Sequence, residues 1–159
     1  MPLVELSSTA LVVADVVAWG LLGITLSYLA HRVPSRRLEH DGVVTRLRPF
    51  EHDGRVYERR LHITRWKDRV PEAGGLFRGG FSKRAVTRAD LGRYLVETRR
   101  GELAHWAIMA AAPLFLLWNP WTIWLLMVAY AVVANLPCIV IQRYNRARLL
   151  RILKRRQAP

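Results

Sequence analysis

Residues 104–141, AHWAIMAAAPLFLLWNPWTIWLLMVAYAVVANLPCIVI, decide the fold of this 159-residue chain. The stretch contains no Asp, Glu, Lys or Arg, and Asn119-Pro120 divides it into two apolar runs with a turn signal between them. Apolar runs of roughly 20 residues can cross a bilayer as helices. The sequence therefore predicts a membrane-embedded helical hairpin with spans at about 103–118 and 121–141. Three tryptophans flank its tip at interfacial depth: Trp118, Trp121 and Trp124.

An earlier apolar run, at about residues 9–30, predicts a further span. At about 1.5 Å per residue, a helix of this length crosses the hydrocarbon core of roughly 30 Å. The run carries one charged residue, Asp15. A carboxylate at that depth costs about 2.5–3.5 kcal/mol on insertion scales. We therefore expect Asp15 to face protein or water, or to be neutral.

All 25 Lys and Arg residues lie in two blocks outside the three apolar runs, with 18 in residues 31–103 and 7 in residues 143–159. Loops rich in Lys and Arg stay on the cytoplasmic side of a membrane. The N-terminus and the hairpin tip are therefore predicted outside, and the insertion at about 31–102 and the basic tail 142–159 inside. The predicted location is the cell membrane, in a multi-pass arrangement.

The net charge of +13 would suggest a nucleic-acid partner if the chain were a soluble domain. Because apolar spans flank the charge, we expect an anionic lipid surface or a phosphate-bearing substrate instead, and no nucleic acid. The predicted fold class is mainly α and integral to the membrane, with three transmembrane helices. The first and second spans are separated by a small cytoplasmic insertion, α+β or loop-rich.

Within the insertion, residues 55–63 alternate weakly between polar and apolar side chains. Together with the turn signal Asp53-Gly54, this pattern predicts a β-hairpin. Gly74-Gly75 and Gly79-Gly80 predict loops. A helix is expected to begin near Arg88 and to continue without interruption into the second span.

Glu102 and His105 form the first candidate site, at the start of the second span. Three residues apart on a helix, they share a face, so the carboxylate is expected to orient the imidazole and raise its basicity. Such a pair suits a general base that acts on a hydroxyl. The alternative is an interfacial ion pair. A Glu-x-x-His pair is also half of a di-iron site, but the sequence has no second copy, so no metal is expected.

Residues 61–68, LHITRWKD, form the second candidate site and contain an alternative base, His62. The alternative interpretation is an amphipathic segment whose tryptophan lies among lipid headgroups. The third candidate site is the cytoplasmic end of the third span, where guanidiniums suit phosphate or carboxylate recognition. A basic anchor is the alternative there. The predicted substrate-binding residues are Arg65, Trp66, Lys67, Glu97, Arg99, Gln142, Arg143, Asn145 and Arg146.

Three ordered blocks of residues resemble a known family. They are residues 65–67, residues 97–106 without Gly101 and Ala104, and residues 134–156 from Ala134-Asn135 and Pro137 to the basic tail. In these blocks the chain resembles the glycosyl-4,4'-diaponeurosporenoate acyltransferase family of staphyloxanthin synthesis. The resemblance covers nearly the whole chain. It implies transfer of a fatty acyl group onto a primary hydroxyl of a membrane-embedded glycolipid at the cytoplasmic leaflet.

The favoured hypothesis is an acyltransferase in which His105, oriented by Glu102, deprotonates a sugar hydroxyl that attacks an acyl thioester. The expected donor is acyl-CoA or an acyl carrier protein, and the expected acceptor is a glycosylated lipid such as a glycosyl carotenoid. The thioester supplies a good leaving group, so no cofactor is expected. The alternatives are a non-enzymatic membrane scaffold and a lipid-binding accessory protein. A homo-oligomer is compatible with each hypothesis.

Overall fold

A computed structural model describes residues 4, 6–70 and 90–157 of the chain, with side chains as far as residue 155. In these ranges the protein is helical and contains no strand, which confirms the mainly α prediction. The α-helices are α1 (Ser8–Arg32), α2 (Arg55–Arg60), α3 (Leu91–Ala110) and α4 (Trp121–Gln157). Short 3₁₀ turns connect them: Ser35–Leu38, Pro49–Gly54, Ile63–Arg65, Lys67–Arg69 and Ala112–Leu117.

Two of the described helices, α1 and the Trp121–Arg155 part of α4, are long and apolar enough to cross a membrane. Only 6% and 17% of their most apolar windows are buried inside the protein, so both present apolar side chains outward. A lipid environment accommodates such surfaces, whereas water does not. The exposed residues on α1 and α4 include Val12, Val16, Leu21, Ile24, Leu126 and Val133.

The predicted second span does not form one α-helix. Helix α3 runs without interruption through Leu103, as expected, but ends at Ala110, and a 3₁₀ turn covers Ala112–Leu117. Pro113 accounts for the break, because proline lacks a backbone N–H and its ring clashes with the preceding helical turn. The structure therefore supports two of the three predicted spans. The described residues of the 31–102 insertion form 3₁₀ turns, helix α2, the first part of α3 and irregular segments, with no strand.

The predicted β-hairpin around Asp53-Gly54 is wrong. Residues Pro49–Gly54 form a 3₁₀ turn, and Arg55–Arg60 form helix α2. His52, Asp53 and Gly54 all have positive φ angles, so they direct the chain into α2 rather than back along a neighbouring strand. The predicted loops at Gly74-Gly75 and Gly79-Gly80, and the predicted helix start near Arg88, lie outside the described residues.

Asp15 is buried in the α1 interface with the hairpin tip, as expected for a carboxylate within a span. Its Oδ1 atom accepts hydrogen bonds from Trp118 Nε1 and Asn119 Nδ2, each at 2.8 Å. One turn further along α1, Trp19 stacks on Phe115 with ring centroids 4.4 Å apart. These contacts hold the N-terminal half of α1 against the segment between α3 and α4.

Arg100 of α3 holds the other end of α1. Its Nη1 atom donates to the carbonyl oxygens of Ala30, His31 and Val33 at 2.8, 2.6 and 2.7 Å. The last carbonyls of a helix have no partners within the helix, and a cation there also complements the helix dipole. Arg100 therefore caps α1 and fixes it to α3.

The described part of the insertion packs against the C-terminal half of α4. Tyr57 and Ile63 form a buried apolar cluster with Ile141 and Tyr144 of α4. Gly54 lies at the contact: its φ of +86° suits glycine, and a Cβ atom there would lie 3.0 Å from that of Ala147. The insertion is thus held in one position beneath the apolar part of α4.

Candidate functional site

Six buried or partly buried ionic residues from α3, α4 and the insertion meet where α4 leaves its apolar stretch. They are Asp41, Glu51, Arg99, Glu102, Arg143 and Arg146, which we call the carboxylate–guanidinium cluster. It contains three carboxylates and three guanidiniums, so its formal charges balance. Buried charges are tolerated when they are paired and hydrogen-bonded in this way.

Glu102 lies at the centre of the cluster and is fully buried. Its Oε1 atom is 2.5 Å from Arg143 Nη1, and its Oε2 atom is 2.7 Å from Arg146 Nη2. The indole of Trp106 also donates to Oε1, at 3.4 Å. Because Glu102 belongs to α3 and both arginines belong to α4, this carboxylate fixes the two helices against each other.

Glu51 connects the insertion to the same arginine. Its Oε1 atom is 2.5 Å from Arg143 Nη2, while Tyr57 Oη donates to Oε2 at 2.6 Å. Burial acts to raise the pKa of Glu51, but the hydrogen bonds from Arg143, Tyr57 and the Arg48 backbone outweigh burial and lower it. The carboxylate is therefore ionised and serves as the anchor of the Pro49–Gly54 turn.

The remaining members hold the chain between the first 3₁₀ turn and the Pro49–Gly54 turn. Asp41 Oδ1 accepts a hydrogen bond from Arg99 Nε at 2.6 Å and lies 3.6 Å from Arg146 Nε. The arginines also donate to backbone carbonyls: Arg99 to Leu38, Arg146 to Thr45, and Arg143 to Val44 and Arg46. Most of the guanidinium hydrogens in the cluster therefore have acceptors within the protein, although Arg146 Nη1 has none among the described residues.

His105 lies one turn beyond Glu102 on α3 and faces α4. Its Nδ1 atom is 2.9 Å from Asn135 Oδ1. The amide nitrogen of Asn135 donates to Ala131 O at 2.9 Å, so the amide oxygen faces the imidazole. An oxygen can only accept, so Nδ1 carries the proton and Nε2 keeps its lone pair. Nε2 has no hydrogen-bond partner among the described residues, so its lone pair can accept a proton.

The predicted contact between Glu102 and His105 is not formed. Both carboxylate oxygens of Glu102 are taken by arginines of α4, and His105 is oriented by Asn135 instead. Two guanidiniums interact far more strongly with a buried carboxylate than a neutral imidazole does. Sequence reasoning noted Asn135 only within a block of residues that resembles the family. The sequence did hold a signal that Asn135 faces α3: it lies eight residues, about two helical turns, before Arg143 on the same helix.

A family model described as glycosyl-4,4'-diaponeurosporenoate acyltransferase matches residues 41–155, which include the whole carboxylate–guanidinium cluster, His105 and Asn135. The chain belongs to this family. Members of the glycosyl-4,4'-diaponeurosporenoate acyltransferase family are enzymes, and the chain is an acyltransferase by membership. The match begins at Asp41, so helix α1 lies outside it.

Curated relatives carry the same family name. Proteins of Staphylococcus aureus strains bovine RF122 / ET3-1 and MRSA252, each named glycosyl-4,4'-diaponeurosporenoate acyltransferase, are 28% identical to this chain over 144 residues. A relative from strain Newman is 27% identical over the same length. Each alignment covers 87% of both chains. No solved structure matches the chain.

Within this acyltransferase, the structure brings together some predicted site residues and leaves others apart. Arg99, Glu102, Arg143 and Arg146 belong to the cluster, and His105 lies beside it. Gln142 packs against α3 at Gly101, where an added Cβ would lie 2.9 Å from its Nε2 atom. Asn145 is buried on α4. Glu97 lies one turn before Gly101 and pairs with Arg100 at 3.2 Å.

The predicted residues around His62 form a separate surface. His62 and Arg65 are exposed, and His62 has a left-handed backbone with φ 47°. Lys67 pairs with Asp68 at 2.5 Å, while Trp66 packs against the apolar cluster and donates to Leu61 O. Among the described residues, no hydrogen bond or ion pair links His62 to His105. Among those residues, no group of three or more His, Cys, Asp or Glu could hold a metal ion.

Proposed function

We propose that this protein transfers a fatty acyl group from an activated thioester to a hydroxyl of a glycosylated lipid such as a glycosyl carotenoid. The hydrogen-bonded pair of His105 and Asn135, with the imidazole Nε2 left as an acceptor, carries the proposal. Relatives that are named for acyl transfer to glycosyl-4,4'-diaponeurosporenoate support the reaction type and the acceptor class.

In the proposed reaction, Nε2 of His105 removes the proton from the acceptor hydroxyl as its oxygen attacks the thioester carbonyl. The tetrahedral adduct then collapses, breaking the carbon–sulfur bond and forming the ester. The imidazolium returns its proton to the departing thiolate. Asn135 keeps the proton of His105 on Nδ1 throughout, a role that a polar side chain also has in Cys-His-Asn sites. The thioester supplies the leaving group, so the step needs no further cofactor.

The carboxylate–guanidinium cluster serves this base as a support. Glu102 joins α3 to α4 one turn before His105, and Arg143 joins α4 to the insertion through Glu51. Asn135 and His105 lie on different helices, so their 2.9 Å contact depends on the alignment of α3 and α4. A displacement of about 1 Å can cost a catalytic site on the order of 100-fold in rate.

The apolar surfaces of α1 and α4 are an argument for an acceptor that lies in the lipid bilayer. They allow the protein to lie in the bilayer with the cluster and basic segments at the cytoplasmic surface, in line with the distribution of Lys and Arg. His105 would then lie at the boundary between the headgroups and the hydrocarbon. A sugar carried on a long apolar chain places its hydroxyls at that depth.

The test is acyl transfer by purified full-length protein in lipid vesicles that contain a glycosyl carotenoid, with product measured by mass spectrometry. His105→Ala should lose turnover by at least about 100-fold, while its thermal unfolding midpoint stays near that of wild type. His62→Ala is the matched control, because it removes an exposed imidazole from another surface. Full activity of His105→Ala, or no transfer by wild-type protein, would refute the proposed function.

A further inference from the structure

A cavity of about 590 Å³ lies between the insertion and α4. Its walls come from residues 46–49 and 51–54 of the insertion and from Ala147 of α4. This volume lies in the range of sites that hold cofactors and small-molecule ligands. None of the residues predicted from the sequence to bind substrate lines it.

The cavity walls include Arg46 and Arg48, whose guanidiniums form no ion pair with a described residue. The side chain of Arg46 is exposed and has no hydrogen bond to a described residue, and that of Arg48 makes one, at 3.3 Å to Val43 O. Of the two acids in the walls, Glu51 is neutralised by Arg143, which leaves Asp53. The free charge of the walls is therefore positive, and His52 adds a group that becomes cationic in weak acid.

The backbone of the cavity wall is held in an uncommon conformation. His52, Asp53 and Gly54 have φ angles of 46°, 54° and 86°. Non-glycine residues with positive φ cost about 1–3 kcal/mol each and are found mainly where a binding or catalytic site needs them. Glu51 and Gly54 anchor the two ends of this segment on α4, through Arg143 and Ala147. The wall is thus rigid and shaped before any ligand arrives.

The distance from the cavity to the base matches a donor with a long arm. Asn135, which orients His105, and Ala147, which lines the cavity, are both on α4 and twelve residues apart. At about 1.5 Å per residue this separation is about 18 Å along the helix. A phosphopantetheine arm, which ends in the thiol that carries the acyl group, has a comparable reach when extended.

We propose that this cavity binds the phosphorylated nucleotide of acyl-CoA, with Arg46 and Arg48 on its phosphates and the pantetheine arm leading along α4 to His105. The proposal rests on the proposed function and names the donor. The cluster arginines are ion-paired within the protein, whereas Arg46 and Arg48 form no ion pair with a described residue, so these two are the better phosphate ligands. The nucleotide would lie in water and the thioester at the lipid boundary.

The experiment measures binding of free CoA to the full-length protein in detergent by isothermal titration calorimetry, without acceptor or turnover. CoA should bind wild-type protein, and replacing both Arg46→Ala and Arg48→Ala should weaken it about tenfold or more. Arg60→Ala is the matched control, since it removes an exposed guanidinium of α2 outside the cavity. Its affinity should stay within about twofold of wild type.

Truncated ligands make the assignment specific. Wild-type protein should bind 3′-dephospho-CoA and pantetheine more weakly than CoA, whereas the double variant should no longer distinguish CoA from 3′-dephospho-CoA, because its phosphate contacts are already lost. The proposal is overturned if wild-type protein fails to bind CoA. It is also overturned if Arg60→Ala loses as much CoA affinity as the double variant. Activity with an acyl carrier protein without CoA binding also overturns it. CoA binding without acyl transfer would instead refute the proposed function and leave the cavity assignment standing.

Discussion

The Nδ1 atom of His105 on α3 lies 2.9 Å from the Oδ1 atom of Asn135 on α4, and this contact sets the tautomer of the base. Replacing Asn135 with leucine keeps a similar volume but removes the acceptor. We expect Asn135→Leu to lower kcat on the order of 10- to 100-fold with little change in KM, because orientation of the base matters in the transition state.

Asn135→Asp is the control for that experiment. A carboxylate keeps an acceptor atom at the same place, so this variant should retain much more activity than Asn135→Leu. An equal fall of kcat in both variants, or a rise of KM alone, would show that Asn135 contributes to packing and not to the position of His105. Steady-state acyl transfer in vesicles measures both parameters.

Removing the central carboxylate should destabilise the whole protein. Glu102→Gln leaves the guanidiniums of Arg143 and Arg146 without their shared counter-charge in a buried position. Breaking a buried ion pair in this way costs about 3–5 kcal/mol. For a chain of this length we expect the midpoint of thermal unfolding to fall by roughly 10 °C. Glu39→Gln, at an exposed site, should leave the midpoint nearly unchanged. Similar midpoints for both variants would contradict a structural role for the cluster.

Acid should destabilise the protein through Glu51. Its folded-state pKa is lowered from the ordinary 4.5, although burial alone would raise it. The ionised carboxylate therefore stabilises the fold above about pH 4.5, and this contribution disappears as the pH falls through the lowered pKa. The unfolding midpoint should be level between about pH 7 and 5 and should decline below 4.5. Glu51→Gln should lower the midpoint at pH 7 and flatten the acid decline. An unaltered acid decline would contradict this assignment.

Two glycines should respond in opposite directions to alanine. In Gly54→Ala the new Cβ lies 3.0 Å from that of Ala147, at a φ of +86°, so we expect a loss of about 1–3 kcal/mol. In Gly92→Ala the new Cβ meets no atom of a described residue within 4 Å, and the substitution should stabilise α3 by about 0.5–1 kcal/mol. Unfolding midpoints of the two variants check the pair. Stabilisation by Gly54→Ala would show that the insertion is not held against α4 as described.

Features that depend on local sequence could be predicted. The helices α1 and most of α4 could be predicted, because the length and apolar composition of a run are enough to indicate a helix that can cross a membrane. The burial of Asp15 followed from the cost of an exposed charge within a span, and its contacts confirm it. Pro113 was a readable signal for the end of α3, yet the apolar composition on both sides of it favoured a continuous span. Arg143 and Arg146 were singled out as substrate ligands because they lie at the end of the third span, and the structure pairs them with Glu51 and Glu102.

The rest depends on partners that are distant in sequence. The i,i+3 spacing of Glu102 and His105 predicted a local pair, but arginines more than 40 residues away compete for the same carboxylate. In the insertion, Asp53-Gly54 is a common hairpin signal. There, anchoring of Glu51 by Arg143 and of Gly54 by Ala147 favours a helical turn over a strand pair. No periodicity within the segment reveals those contacts.

The hydrogen bonds of Asp15 also bear on how the protein is assembled. Its partners Trp118 and Asn119 follow it by more than 100 residues. At about 5–20 residues per second, a ribosome needs roughly 5–20 seconds to reach them. During that interval the Asp15 side chain lacks both of the donors that it has in the folded protein. Asp15 therefore gains its final hydrogen bonds only after the segment between α3 and α4 has been synthesised.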